Sequence, residues 1–165
     1  MQKKGDRKII VCDTEKCTGC RLCEYACSVC QDSSLNPRHS RIKVVRVEPV
    51  FNVAMSCVAC EDRRCIEGCP TQAITYDEKE GHIVIDEQAC DGCGLCIERC
   101  PYGSIGLSTD GKRAFVCDFC QGQDKPRCVE LCPKEALSFK RAEDADFQGM
   151  VQHIIKRRSQ GGEDG

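Results

Sequence analysis

The sequence contains no Trp and only 5 Phe and 3 Tyr among 165 residues. Apolar residues make up 41%, but that share includes 18 cysteines; without them about 30% remains. That is too little carbon to build a full side-chain core, so something other than side chains must occupy the interior. No apolar run approaches the ~20 residues that a spanning helix needs. Charge of one sign is also lacking, since 24 Lys and Arg face 26 Asp and Glu for a net charge of −2. Without a basic surplus to neutralise phosphates, nucleic-acid binding is not expected. The polar start, Met1 to Lys8, is followed by no apolar stretch of the secretory kind. The expectation is therefore a cytoplasmic chain in a reducing compartment, where dense cysteine reads as metal ligation and not as disulfides.

What is abundant is cysteine, and its spacing is regular. Cys17, Cys20, Cys23 and Cys27 follow C-x2-C-x2-C-x3-C, and Cys90, Cys93, Cys96 and Cys100 repeat it before Pro101. Cys57, Cys60, Cys65 and Cys69 widen the middle gap to four residues and precede Pro70. Cys117, Cys120, Cys128 and Cys132 widen it to seven and precede Pro133. Three thiolates on one tight loop can reach three irons of a 4Fe–4S cube, and the fourth, displaced along the chain, ligates the neighbouring cube, as in two-cluster ferredoxins. Structural zinc uses separated C-x2-C pairs instead, which makes a zinc-stabilised interaction module a remote alternative. Sixteen thiols thus provide for four 4Fe–4S clusters, with Cys12 and Cys30 left over.

The quartets are internal repeats. Three of them run on as Cys-Pro, a short turn and an apolar residue that starts a strand: Ile74, Ile105 and Leu137. Hairpins are expected from Ile74–Tyr76 to Ile83–Ile85 across Gly81, and from Ile105–Leu107 to Ala114–Val116 across Asp110-Gly111. The fold class is α+β: two ferredoxin-like lobes of pseudo-repeated short hairpins and helical turns around the clusters. Asp13 stands four residues before Cys17 as Asp86 does before Cys90, so Cys12 corresponds to Ile85 and reads as a small apolar residue in a strand. Cys30 falls where the other repeats carry Gln72, Gly103 and Glu135 and reads as a free thiol, although exchange with Cys27 stays open because the first quartet has Ser28 in place of proline.

No iron would be left open for substrate, and His39, His82 and His153 belong to no catalytic motif, so the chain is expected to move electrons without transforming a substrate. Arg63 and Arg64 in the second loop, and Lys125 and Arg127 in the fourth, would favour reduced clusters. The third loop, Asp91-Gly92 and Gly94-Leu95, has no cation and is expected to hold one of the lower-potential clusters. Beyond Ala142, Phe147, Met150, Val151, Ile154 and Ile155 form a helical apolar stripe before a tail expected to be disordered. The domain reading is residues 1–140 for the four clusters, with an inner lobe inserted at about 50–110, and 141–165 for the amphipathic helix and tail.

From Lys8 to Lys140 these motifs resemble the four-cluster iron–sulfur subunits of molybdenum and tungsten oxidoreductases, the family of the dimethyl sulfoxide reductase electron-transfer subunit. Its compact form is most similar to the polyferredoxin small subunit of a soluble tungsten aldehyde oxidoreductase. The resemblance implies a hetero-oligomer, with room for self-contacts, in which the chain sits between a large tungsten or molybdenum catalytic subunit and a flavin subunit. The ferredoxin-like partner of carbon monoxide dehydrogenase or hydrogenase, and a free polyferredoxin carrier, are the alternatives. Spacing alone permits linear or nested pairing of the quartets. The family implies nesting: Cys17, Cys20, Cys23 with Cys132; Cys57, Cys60, Cys65 with Cys100; Cys90, Cys93, Cys96 with Cys69; and Cys117, Cys120, Cys128 with Cys27.

Overall fold

A computed structural model describes residues 7–47 and 51–145. The C-terminal stripe from Phe147 to Ile155, the tail and His153 lie outside the described residues. Among the described residues, short helices connect strands that form four two-stranded antiparallel sheets. Strand β1 (Lys8–Cys12) pairs with β8 (Leu137–Arg141), so the first sheet joins segments from opposite ends of the described chain. β2 (Lys43–Val47) pairs with β3 (Phe51–Met55), β4 (Ile74–Asp77) with β5 (His82–Ile85), and β6 (Gly106–Leu107) with β7 (Ala114–Phe115).

The hairpin expected across Gly81 forms in the register Ile74 to Ile85, one residue longer at its turn than expected. The hairpin around Asp110-Gly111 forms but is shorter: Ile105 and Val116 flank it without joining the ladder. Both side chains are instead buried in the core. The β2–β3 hairpin was not anticipated, although Val45 and Arg46 on one strand and Val53 on the other carry the β-branched and alternating character of a strand pair.

Four helices, α1 (Leu22–Asp32), α2 (Arg64–Glu67), α3 (Leu95–Arg99) and α4 (Arg127–Glu130), each contain the third cysteine of a quartet. Three of these helices end at or before the fourth cysteine and its proline, which cannot continue the helical hydrogen bonding. With Ser28 in that place, α1 runs on to Asp32. Cys30 therefore lies inside a helix, exposed, whereas its counterparts Gln72, Gly103 and Glu135 are turn residues with left-handed φ.

Buried side chains gather into two clusters. One contains Ile10, Cys12, Cys23, Cys27, Ile42, Val53, Ala54, Cys117, Phe119, Cys128 and Leu137. The other contains Ala59, Cys65, Ile74, Ile83, Cys96, Ile105, Ala114 and Val116. Cys57 packs against both. In each core thiols take positions that aliphatic side chains hold elsewhere. His82, on β5, is buried with its ring edge-on to Phe119 and shares a hydrogen bond with Gln121 at 3.0 Å. It packs on the first cluster through Phe119. Among the described residues no helix is long and apolar enough to cross a membrane.

Candidate metal centres

The loops that carry the cysteines share a local geometry. Two residues before the third cysteine, Arg21, Arg63 and Gly94 adopt left-handed φ, which turns the loop sharply into its helix. The wider fourth loop uses Pro126 there instead, at an ordinary φ of −57°. After the fourth cysteine a second repeated turn follows. Gln72, Gly103 and Glu135 donate their N–H to the carbonyls of Cys69, Cys100 and Cys132 and take left-handed φ. That turn swings the next amide back onto sulfur: Ser104 N–H reaches Cys100 Sγ at 3.4 Å and Ala136 N–H reaches Cys132 Sγ at 3.3 Å, and Ala73 N–H bonds Cys69 in the same way. The continued helix α1 denies Cys27 this amide, and Arg41 N–H supplies one at 3.2 Å from another segment.

The folded chain brings together thiols from different quartets. Cys132 lines one cavity with Cys17, Cys20 and Cys23, beside Val44, Ala54 and Leu137. Cys100 is close enough to Cys57, Cys60 and Cys65 to influence the ionisation of each. Cys69 acts likewise on Cys96, together with Cys90 and Cys93. Cys27 neighbours Cys117 and Cys128, and Cys128 is in turn near Cys120. Thiols from different quartets thus approach one another, and the neighbourhoods overlap, since Cys23 also lies near Cys128.

Burial keeps many of these thiols protonated. It pushes Cys23 and Cys57 up to about 12 and Cys65 and Cys120 up to about 11, and it raises Cys60, Cys96, Cys117 and Cys128. Cys69 behaves differently. Burial works upward there too, but hydrogen bonds from Thr71, Ala73 and Ile74 together bring it below the ordinary value. Thiolate ligation reverses the cost of burial, because a metal supplies the positive charge that the buried sulfur lacks. The donor set fits iron–sulfur cubes: sulfur only, with amides aimed at the sulfurs.

Three of the basic side chains singled out in the second and fourth loops have partners other than a cysteine. Arg64 pairs with Asp62 and Arg127 with Glu130, each at 2.6 Å, and Arg63 lies 3.6 Å from the Tyr76 ring centroid. It is the backbone N–H of Arg63 and of Arg127 that reaches Cys60 and Cys120. Amides thus contribute to charge compensation at these sulfurs, and the Arg127 guanidinium, which lies near Cys120 and Cys30, adds to it in the fourth loop.

The two cysteines outside the quartets both adjoin quartet sulfurs. Cys12, in β1, is buried and makes side-chain contact with Cys17; desolvation pushes its thiol up to about 12. Cys30, at the surface, is in contact with Cys120 and accepts a hydrogen bond from Gln123 at 3.4 Å. The strand position of Cys12 was legible from the repeat; neither sulfur contact was.

The chain belongs to the 4Fe-4S dicluster domain family, which it matches over residues 49–142. It is 42% identical over 128 residues to the polyferredoxin-like subunit of aliphatic sulfonate oxidoreductase from Pyrococcus furiosus, covering 77% of this chain and 72% of that protein. YsaA of Escherichia coli (strain K12), a protein named for electron transport, is 39% identical over 92% of this chain and 98% of its own length. The thiosulfate reductase electron transfer subunit PhsB of Salmonella typhi is 30% identical over 92% of this chain and 84% of its own length. The protein is an iron–sulfur electron-transfer subunit of an oxidoreductase complex, carries four 4Fe–4S clusters and is not catalytic alone.

Proposed function

We propose that this chain relays single electrons, in the cytoplasm, between a large catalytic subunit holding tungsten or molybdenum and a flavin subunit or other redox partner, with aldehyde oxidation as the chemistry it serves. The four clusters are held in nested fashion: Cys17, Cys20, Cys23 and Cys132; Cys57, Cys60, Cys65 and Cys100; Cys90, Cys93, Cys96 and Cys69; Cys117, Cys120, Cys128 and Cys27. The grouping of thiols from distant quartets is the observation that carries this reading. Bound there, the clusters supply one-electron transfer.

Two further features support a relay. Cys20 and Cys93 are exposed, which gives the first and third clusters contact with the surface, while Cys57 packs against both buried clusters and offers a crossing between them. The lobes are then an outer one from both chain ends and an inserted inner one. The boundary falls after β3 and near Val116, because Val53 and Ala54 pack on the first core and Ala114 and Val116 on the second. Leu22, Tyr25 and Val29 leave an exposed apolar row on α1 beside Cys23 and Cys27, which favours a docked subunit over a free carrier.

Anaerobic preparation should yield about 16 iron and 16 sulfide per chain, from four cubes of four each. Cys20→Ser and Cys132→Ser should alter the same cluster signal in electron paramagnetic resonance. Linear pairing would instead couple Cys132→Ser to the signal altered by Cys93→Ser. Co-purification with a large subunit containing tungsten or molybdenum supports the proposed partner, and an isolated monomer that exchanges electrons with several enzymes refutes it.

A further inference from the structure

The chain contains its own control for the environment of one cluster. Asp13 N–H bonds Ala136 O at 2.8 Å and Cys17 N–H bonds Asp13 O at 3.0 Å; Asp86 and Cys90 repeat this pattern with Ala73 O and Asp86 O at 2.8 and 3.0 Å. Cys12 and Ile85 are therefore equivalent positions, each at the end of its ladder, paired with Leu137 and Ile74. A second equivalence lies across the core. Ala54 stands three residues before Cys57 on β3, as Ala114 stands three before Cys117 on β7.

The hydrogen bonds then differ at one point. Ala114 N–H donates directly to Cys90 Sγ at 3.4 Å. Ala54 N–H, its counterpart, donates at 3.3 Å to Cys12 Sγ and not to Cys17. Cys12 and Cys17 are within hydrogen-bonding contact of each other. Cys12 has thus been interposed between a backbone donor and a quartet sulfur, where the inner repeat has an isoleucine that can neither accept nor donate.

On the ligand assignment proposed above, we propose that Cys12 is a positioning residue that sets the potential of the cluster held by Cys17, Cys20, Cys23 and Cys132: its sulfur accepts from Ala54 N–H, and its S–H donates to Cys17 Sγ. The S–H group is a weak donor in isolation, but polarisation by the amide behind it strengthens it. Cys12 is only 2% exposed, so water does not compete for the bond. Reduction adds negative charge to the cube and its ligand sulfurs, and a donor aimed at one of them stabilises the reduced form more than the oxidised form. The relay therefore raises the potential of this cluster.

The test is a potentiometric titration of the full, loaded protein followed by electron paramagnetic resonance. Cys12→Ala deletes the donor and adds no bulk; Cys12→Ser keeps both an acceptor and a donor. The wave that Cys20→Ser alters should move to lower potential in Cys12→Ala, with the other three unmoved, and should stay near its wild-type position in Cys12→Ser. Four unmoved waves in Cys12→Ala, or an equal shift in both variants, overturn the relay. A second readout needs no destabilising change. In the loaded wild type only Cys12 and Cys30 keep an S–H, and the infrared S–H band that Cys12→Ser removes should shift to lower frequency when the cluster is reduced. A band that reduction leaves in place overturns the relay. The ligand assignment fails separately, through wild-type protein without cubane iron or a Cys20→Ser variant with all four waves intact, and the relay would fall with it.

Discussion

Gly92 and Gly94 flank Cys93 in the third cysteine loop, and both have left-handed backbone, with φ of +72° and +79°. On sequence alone their substitution by alanine should be equivalent. The structure separates them. A Cβ at Gly94 would meet nothing within 4 Å, whereas one at Gly92 would strike the Gly111 carbonyl oxygen and lie 2.8 and 2.9 Å from the carbonyl carbon and oxygen of Lys112. These are backbone atoms of the turn between β6 and β7, and they cannot swing aside as a side-chain tip can. An L-residue in left-handed conformation costs about 1–2 kcal/mol, and the lower entropy of the unfolded alanine chain returns about 0.4–1 kcal/mol of it. Gly94→Ala should therefore lose about 0–1.6 kcal/mol, whereas Gly92→Ala adds an overpacking cost of about 1–3 kcal/mol. The assay is anaerobic guanidinium denaturation of the loaded protein, followed by bleaching of the visible iron–sulfur absorption. Gly92→Ala should have clearly the lower midpoint and perturb the signal of the Cys90–Cys93–Cys96 cluster. Equal midpoints for the two variants would refute the reasoning.

Glu24 is 1% exposed, and its two carboxylate oxygens bond Arg21 Nε and the N–H of Val44, each at 2.7 Å. Glu24→Ala should cost about 2–3 kcal/mol in the same assay, discounted for the exposure of Arg21, and Glu24→Gln clearly less because it keeps an acceptor for Val44. Asp118 accepts from Gln31 at 2.8 Å and from the N–H of Cys120 at 3.1 Å. Asp118→Ala should cost about 1–2 kcal/mol and broaden the signal of the Cys117–Cys120–Cys128 cluster, and an unchanged signal would count against that contact. Removal of the clusters by acid and chelator should leave the chain largely unstructured by circular dichroism, since the clusters fill the cores that side chains do not. Burial raises the thiol pKa values of Cys23 and Cys57 to about 12, so each such thiol is protonated at neutral pH and releases its proton on ligation. Cluster loading should therefore become more favourable as pH rises toward that value, with proton release measurable in weakly buffered solution. Loading that is independent of pH would contradict this sign.

The fold class, the clusters and two of the three hairpins were legible because they depend on neighbours in sequence. The turn at Gly81, the turn at Asp110-Gly111 and the three loop cysteines of each quartet involve residues a few positions apart. The β2–β3 hairpin was equally local, and the alternation around Val45 and Val53 was a signal that could have found it. The reach of α1 was half legible: Ser28 in place of proline marked the first quartet as different, but only packing against the rest of the chain shows the helix running on to Asp32. The partners of the basic residues near the quartets were not legible, because a charged side chain is long enough to choose among neighbours: Arg64 and Arg127 pair with carboxylates, and Arg127 also lies near Cys120.

Sequence by itself determined that sixteen sulfurs come in four sets of three plus one, because a cube constrains the spacing of the thiols on a single loop. Tertiary structure alone decided which thiols of different quartets approach one another, and that Cys12 touches Cys17 while Cys30 touches Cys120. Those meetings depend on β1 pairing with β8 and on α1 packing beside α4. Such contacts close long stretches of chain, and no spacing rule within a single loop encodes them.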